Sequence, residues 1–272
     1  SRYSGIGAHR YPLGFSGDTH ITWDTLKYQP YFTMTASNAG YPWWSHDIGG
    51  HYGGYKDDEL YVRLVQLGVF SPITRLHCCR SLIVTKEPIV YMNGTGYIAG
   101  EFLRFRHRMI PYLYSANWET SHQGLALVEP VYYECPAEPD AYRLKDEYLF
   151  GRNLLVSAVT SPGKGKDKLA EIEMYLPKGH WTDIFTGDEY DGECKTMYRW
   201  MDSLPVLARE GSFLPLDARR EGNDTDLPEH LEILTFNGNG SYILHETKGK
   251  KDSEICFTSK AGSGKQAANR GR

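Results

Sequence analysis

Hydrophobic positions divide the chain into two parts with different periodicities. Up to about residue 123, short apolar runs alternate with segments whose apolar residues recur at helical spacing. Leu60, Leu64 and Leu67 lie at i, i+4 and i+7, which places all three on one face of a helix. Strand-like runs that alternate with helical ones are typical of α/β architecture, so we expect the first part of the chain to be α/β.

Two further helical patterns contain a proline. The pattern over residues 101–122 is the strongest in the chain; Pro111 is expected to kink this helix, and Gly124 is expected to end it. The pattern over residues 23–36 also indicates a helix, but Pro30 interrupts it.

The second part of the chain carries short strand-like patterns. Residues 154–156 form an apolar run, and residues 171–176 alternate between apolar and polar with period two. Residues 231–236 and 241–245 flank Asn-Gly-Asn-Gly at 237–240, which predicts a β-hairpin. Many short strands with regular turns predict an antiparallel β-sandwich.

Three strand-like runs of the first part each end in a titratable residue: Asp18, Asp47 and His77. Active residues of (β/α) barrels sit at the C-terminal ends of strands, so we expect these side chains to meet in one pocket. About three strands are too few for a closed eight-stranded barrel. Either sequence outside this chain completes the barrel, or the fold is not a barrel.

Each candidate residue also has a plainer explanation. Asp18 and Asp47 both stand beside glycine-rich turns, where aspartate is common as a turn residue or helix cap. His77 lies beside two cysteines, but the ligand count is too low for a zinc site. His46 and His51 suggest a metal pair without a third ligand. We therefore expect no metal and no cofactor.

Composition and charge argue against some partners. The 272 residues include 40% hydrophobic and 24% charged residues, as in ordinary globular proteins, and the net charge is −4. No electrostatic case exists for nucleic acid or an anionic membrane as a partner. The 20 tyrosines and 6 tryptophans hint at sugar binding, although core packing explains most aromatic residues in most proteins.

The cysteines indicate a reducing compartment. The five cysteines are an odd number and contain no C-x-x-C pair, so we expect free thiols and a cytoplasmic location. The sequence shows no signal peptide and no long apolar span. Its first residue is serine, and the first segment reads as the middle of a longer protein. An N-terminal part is therefore expected to be missing, together with any targeting signal.

Several collinear motifs resemble glycoside hydrolase family 31. The resemblance covers nearly the whole chain to about residue 245 and rests on long motifs. The motifs that carry it lie at 2–18, 43–50 (WWSHDIGG), 59–77 (ending in QLGVFSPITRLH), 102–106 (FLRFR), 111–114 (PYLY), 175–177 (YLP) and 205–216 (PVLAREGSFLPL).

The resemblance implies a fold that is α/β followed by all-β. Residues 1–123 would be the C-terminal part of a (β/α)8 TIM barrel, and residues 124–216 would form a proximal β-sandwich. Residues 217–247 would begin a distal β region. Residues 248–272 are polar and lack a core pattern, so we expect this tail to be disordered.

The family implies a retaining α-glycosidase, similar to an α-glucosidase, in which Asp18 is the general acid/base. The family's nucleophile is an aspartate in a Trp-x-Asp-x-Asn-Glu type motif upstream of the match to Arg2, and that motif does not occur here. This chain alone is therefore expected to be inactive without the N-terminal part of the same enzyme. The implied substrate-binding residues are Arg2, Asp47 and His77, with Trp44 and His51 as pocket-wall residues, and His51 stands where the family often has an aromatic residue.

Two other functions remain open at this point. The chain could be a non-catalytic carbohydrate-binding β-sandwich module or a degenerate family member. The expected partner is an oligosaccharide or α-glycoside, whose sugar and linkage the sequence does not fix; neither nucleic acid nor membrane is expected, and no oligomeric state is indicated.

Overall fold

The computed structural model describes residues 7, 10–79, 85–91, 94–224, 226–261 and 266–269. Its helices are α1 (Trp23–Asn38), α2 (Asp58–Val69), α3 (Thr95–Arg108), α4 (Ile110–Gln123) and the one-turn α5 (Asp140–Arg143). The first strands are β1 (Leu13–Phe15), β2 (His20–Ile21), β3 (Trp43–Ser45) and β4 (Tyr52–Gly54). The remaining strands are β5 (Val128–Pro130), β6 (Glu147–Phe150), β7 (Leu154–Ser157), β8 (Ala170–Tyr175), β9 (His180–Asp183), β10 (Glu189–Asp191), β11 (Cys194–Arg199), β12 (Val206–Arg209), β13 (Phe213–Asp217), β14 (His230–Thr235), β15 (Gly240–Lys248), β16 (Lys251–Ser259) and β17 (Gln266–Asn269).

Three neighbouring parallel segments form the barrel part. β1 pairs in parallel with β3. The segment 73–76, called here the third barrel segment, continues the parallel order through bridges from Ser45 to Ile73 and from Ile48 to Leu76. α1 connects the first pair and α2 leads into the third barrel segment, so the expected α/β pattern is confirmed. Because all three run the same way, their C-terminal ends lie at one edge.

Local side chains explain where the first two helices begin. The Thr22 hydroxyl accepts a hydrogen bond from the Thr25 amide at 3.2 Å, which caps α1. Asp57 caps α2 by accepting bonds from the next turn's amides at 2.9 and 3.1 Å. The expected interruption at Pro30 is wrong, since α1 is continuous through it. Proline removes one helical hydrogen bond, and Pro30 is one of the buried residues of α1.

The helix predicted over residues 101–122 is two helices. α3 ends at Arg108 and α4 begins at Ile110, so the distortion expected near Pro111 is a break at Met109. Proline stands at the second position of α4, where a missing amide hydrogen costs nothing. Gly124 ends α4 with a φ of 72°, as predicted from its position.

Arg106 of α3 fixes the turn between α2 and the third barrel segment. Its guanidinium donates to the carbonyls of Val69 and Ser71 at 2.7 Å each and to that of Pro72 at 2.8 Å. Burial lowers the pKa of Arg106 to about 9. These bonds satisfy carbonyls at the end of α2 and thereby set where the following strand starts.

The second part of the chain is built from antiparallel strands, as predicted. A six-stranded sheet has the order β10-β9-β12-β7-β6-β5, and β8 pairs with β11 beside it. The alternating burial along β8 and the fully buried β7 match their sequence patterns. Two smaller sheets follow, with the orders β13-β14-β17 and β15-β16.

The hairpin predicted around residues 237–240 is wrong. β14 pairs with β13 and β17, whereas β15 pairs with β16, so the glycine-rich turn connects two sheets. Its glycines serve a close approach of two turns: a Cβ on Gly240 would lie 1.9 Å from the Gly211 carbonyl oxygen. The Gly211 amide donates to the carbonyls of Phe236 and Asn237, each at 3.0 Å.

The polar tail expected over residues 248–272 is partly a strand. β16 pairs with β15 along its whole length, from Gly240 opposite Ser259 to Lys248 opposite Lys251. Burial along β16 alternates over its second half between exposed and half-buried positions. The prediction of disorder is wrong for these residues, because backbone pairing with β15 compensates for the lack of apolar side chains.

One hydrophobic cluster extends through the barrel and sandwich parts. It joins Val65 of α2 and Phe102 of α3 to Leu149 of β6 and Leu155 of β7. Polar contacts cross the same boundary; for example, the buried Tyr148 hydroxyl donates to the Phe70 carbonyl at 2.9 Å. Within the described ranges, every helix is too short or too polar to cross a lipid bilayer.

Candidate active site

The three strand ends bring the predicted residues together. Asp18 follows β1, Asp47 follows β3, and His77 follows the third barrel segment. Backbone hydrogen bonds fix the last two in register: the Ile48 amide donates to the Arg75 carbonyl at 3.0 Å, and the His77 amide donates to the Ile48 carbonyl at 3.4 Å. The side chains therefore start from one edge of the parallel sheet.

His51 lies at the centre of this group. Its Nε2 is 3.8 Å from an Asp18 carboxylate oxygen, and its Nδ1 is 2.9 Å from Oδ2 of Asp47. Its ring centroid is 5.1 Å from that of His77. The 2.9 Å contact is not aligned as a hydrogen bond, so both of its atoms lack an aligned partner among the described residues. One imidazole thus links the candidate residues of all three strand ends.

Arg75 is a site residue that the sequence analysis missed. Its guanidinium pairs with Oδ1 of Asp47 and lies 4.9 Å from the centroid of the Phe15 ring. Arg75 and His77 stand two positions apart at the end of one strand, so their side chains leave on the same face. That spacing was the signal available in the sequence.

The two aspartates of the site differ in exposure. The Asp18 side chain is 63% exposed, and the nearby Phe15 and Trp23 rings contact other residues. The Trp23 indole instead donates to Asp57 at 3.2 Å, and the Phe15 ring supports Arg75. By contrast, the Asp47 side chain is fully buried beneath Arg75 and His51.

Among the described residues, Trp44 does not contribute to the geometry of this group. Trp44 is 7% exposed and packs against Phe32 of α1 and Tyr41, with ring centroids 4.7 and 6.2 Å apart. Packing therefore accounts for the Trp44 ring, and its role as a pocket wall stays a prediction. Arg2 lies outside the described residues.

His46 and His51 do not form the metal pair that was considered. His46 points into the core, where its Nε2 lies 2.7 Å from the Thr33 hydroxyl, and burial lowers its pKa to about 3. Asp47, His51 and His77, however, each offer a ligand atom within 4.8 Å of the others, which is a set that could hold a divalent ion. The Arg75 cation on the same carboxylate opposes such an ion electrostatically.

Chemically, the site combines an exposed carboxylate with several hydrogen-bonding groups. Asp18 can give or take a proton, while Arg75 and His77 can donate hydrogen bonds. Such a set suits a ligand rich in hydroxyl groups, whose oxygens both donate and accept.

Comparison with known families agrees with this arrangement. Residues 1–116 match the model of the glycosyl hydrolases family 31 TIM-barrel domain. Residues 124–214 match the model of the glycosyl hydrolase family 31 C-terminal domain. The chain belongs to glycoside hydrolase family 31. The family 31 barrel strands therefore carry the site, and the antiparallel part follows it.

Two curated relatives of this family 31 chain are named as glycosidases. An α-xylosidase from Saccharolobus solfataricus is 29% identical over 92% of this chain and 34% of its own length. An α-glucosidase from the same organism is 32% identical over 80% of this chain and 31% of its own length. The chain thus spans about a third of the length of these relatives.

Two solved structures with the same fold contain bound sugars. The cycloalternan-forming enzyme from Listeria monocytogenes, in complex with a pentasaccharide substrate, is 26% identical with a TM-score of 0.80. The match covers 90% of this chain and 24% of that one. A family 31 dextranase from Flavobacterium johnsoniae, complexed with isomaltotriose, is 26% identical with a TM-score of 0.79, over 92% of this chain and 33% of that one.

Proposed function

We propose that the whole protein is a retaining α-glycoside hydrolase, similar to an α-glucosidase, that removes terminal α-linked sugars by double displacement. The observation that carries this proposal is the meeting of Asp18, His51 and His77 at neighbouring strand ends, with Asp47 beneath them. The relatives' names support α-glycosides as the substrate class.

Asp18 is the general acid/base in this proposal. Its exposed carboxyl group can reach a leaving-group oxygen in the open part of the site. In the first step it donates a proton to that oxygen while a second carboxylate attacks the anomeric carbon and the glycosidic bond breaks. In the second step it takes a proton from water as the water attacks the anomeric carbon and releases that carboxylate. That second carboxylate, the nucleophile, comes from sequence outside this chain.

Asp47 cannot be the nucleophile as it is placed here. Its side chain is fully buried and paired with Arg75, so no sugar carbon can approach it. We propose that Asp47 holds Arg75 and His51 in place and accepts a sugar hydroxyl only when the His51 ring turns aside. His77, Trp44 and Arg2 keep their proposed roles around the sugar that is cleaved off, with Arg75 added as a donor.

The function is tested with a nitrophenyl α-glucoside, using the full-length protein and this chain side by side. We expect turnover by the full-length protein, with the α-anomer as the first product in a proton NMR time course, and no turnover by this chain. Release of the β-anomer would contradict retention. Turnover by this chain alone would refute the claim that the nucleophile lies elsewhere.

A binding role for the sandwich is the second candidate. A cleft of about 460 Å³ on the sandwich is lined by polar and aromatic residues that include His180, Trp181, Glu189, Glu210 and Asn237. Hydrogen exchange with and without an α-linked trisaccharide distinguishes the two sites. Protection near Asp18 and His77 supports the enzyme, whereas protection confined to the cleft supports a binding module.

We also propose a cytoplasmic location for this protein. All five cysteines are free, which suits a reducing compartment. Fractionation of the source cells with an antibody to this chain tests the proposal, and recovery in a secreted fraction would contradict it.

A further inference from the structure

Two exposed aromatic rings lie beside the candidate acid/base. Tyr52 is 41% exposed, and its ring centroid lies 4.7 Å from that of His20, at an interplanar angle of 48°. The His51 ring contacts the edge of Tyr52, with centroids 5.7 Å apart. The function proposed above uses neither Tyr52 nor His20.

The backbone holds these two rings in a fixed arrangement. β2, which contains His20, runs parallel to β4, which begins at Tyr52. The amides of His51 and Tyr52 both donate to the Thr19 carbonyl, at 2.9 and 3.2 Å.

Glycine is required on the strand that carries Tyr52. Gly54 has a φ of 73°, and a Cβ there would lie 2.1 Å from the Ile21 carbonyl oxygen. A Cβ on Gly53 would lie 2.8 Å from the His20 ring. The two glycines thus let β4 pack directly against β2, which keeps Tyr52 beside His20.

The position of the rings relative to Asp18 defines what they could contact. His20 follows Asp18 by two residues, and Tyr52 follows His51, whose Nε2 is 3.8 Å from the Asp18 carboxylate. A general acid stands between the sugar that is cleaved off and the leaving group, because it protonates the oxygen that joins them. Arg75 and His77 both have polar atoms close to the Asp47 carboxylate, whereas the Tyr52 ring contacts His20 and His51. Because His20 and His51 both lie next to Asp18, we infer that the rings are on the leaving-group side of the site.

We propose that Tyr52, supported by His20, is a stacking platform for the first sugar of the leaving group. This inference rests on the proposed function. The ligand is a pyranose attached through its oxygen to the sugar that is cleaved off, and its apolar face lies on the Tyr52 ring. Aromatic rings suit this contact because they offer a large apolar face and lose little conformational freedom.

The test compares two substrates in the full-length protein. An α-linked disaccharide has a leaving-group sugar, whereas α-glucosyl fluoride has none. For Tyr52→Ala we expect kcat/KM for the disaccharide to fall roughly fivefold to tenfold, the size of one aromatic stacking contact, with the value for the fluoride unchanged. Tyr52→Phe, which keeps the ring, should restore the disaccharide value.

Tyr97→Ala is the matched control, since Tyr97 is 71% exposed on α3 and should affect neither substrate. Equal losses on both substrates, or no loss on the disaccharide, would overturn the platform. Failure of the wild type to hydrolyse the fluoride would instead count against the proposed function. In that case saturation-transfer NMR with the disaccharide decides: signal at the reducing-end ring that Tyr52→Ala abolishes supports the platform, and unchanged or absent signal overturns it.

Discussion

Among single residues, the Asp47 carboxylate is held by neighbouring side chains and has no contact with solvent. Its oxygens face Arg75 on one side and His51 on the other, and no part of the side chain is exposed. A buried carboxylate needs such partners, because an unpaired charge in the interior is costly. The buried Asp47 carboxylate therefore holds Arg75 and His51, whose side chains are more exposed.

Gly14 gives a residue-scale prediction about Trp44. A Cβ at position 14 would lie 2.2 Å from two carbon atoms of the Trp44 ring, and this ring is packed in the core. We expect Gly14→Ala to lower the free energy of unfolding by about 1–3 kcal/mol, as overpacking does. The midpoint of urea denaturation measures this change.

Gly100→Ala on α3 is the control for this substitution. The nearest atom to a Cβ there is the Nη1 of Arg104 at 3.6 Å, so the alanine fits. Alanine in a helix should raise the free energy of unfolding by about 0.5–1 kcal/mol. An unchanged urea midpoint for Gly14→Ala would show that the Trp44 ring is free to move, and the packing explanation would be wrong.

Single residues were predictable where a general rule places them. Asp18, Asp47 and His77 were found because chemistry in α/β barrels sits at strand ends, and the structure brings them together. The link through His51 could not be foreseen, because it depends on how the turn after Asp47 folds back. The burial of Asp47 likewise follows from Arg75 and His51, whose positions are set by tertiary contacts.

At the scale of elements, Arg106 is expected to hold the third barrel segment through its three carbonyl bonds. Arg106→Ala leaves buried carbonyls without donors, so we expect a loss of about 3 kcal/mol or more in the free energy of unfolding. Arg104→Ala removes an exposed pair with Glu101 on the same helix and should cost about 0–1 kcal/mol. Similar losses of stability for the two variants in urea denaturation would contradict this role of Arg106.

Strand β6 carries a group that should make stability depend on pH. Burial raises the pKa of Glu147 well above its usual value of 4.5. Between the unfolded and folded pKa values, the folded state keeps a proton that the unfolded state has lost. Stability therefore falls as pH rises above about 4.5, by up to about 1.4 kcal/mol per pH unit.

Glu147→Gln tests this pH dependence, since glutamine can still accept the bond from the Tyr175 amide but does not ionise. The free energy of unfolding of the variant minus that of the wild type should grow as pH rises above about 4.5. Any fixed cost of burying the amide is the same at every pH. A difference that stays constant in urea titrations would show that Glu147 does not titrate across this range.

Elements were predictable where local pattern dominates. The helices and the alternating strand β8 followed from periodicity, and Gly124 ended its helix as expected. The turn at 237–240 was misread because its glycines serve contact with Gly211, which is distant in sequence. Strand β16 was missed because backbone pairing with β15, rather than an apolar pattern, holds it.

At the scale of the whole molecule, the barrel and sandwich parts are joined through buried polar contacts as well as the shared core. Arg63 of α2 donates to the carbonyls of Ser203 and Trp200 at 2.7 and 3.1 Å, and Gln66 donates to that of Met201 at 2.9 Å. A buried guanidinium without its acceptors would be costly. The sequence could indicate a boundary near residue 123, but not this contact between α2 and a loop of the sandwich.

We propose Asp18 as the general acid of a glycosidase site assembled at neighbouring strand ends. The leaving-group dependence of kcat/KM for Asp18→Asn, measured in the full-length protein, tests this role. For α-glucosides with poor leaving groups we expect a loss of about 10²–10⁴-fold, because those oxygens need a proton to depart. Dinitrophenyl α-glucoside should lose far less, since its leaving group departs without one. Equal losses for good and poor leaving groups would contradict the role of Asp18.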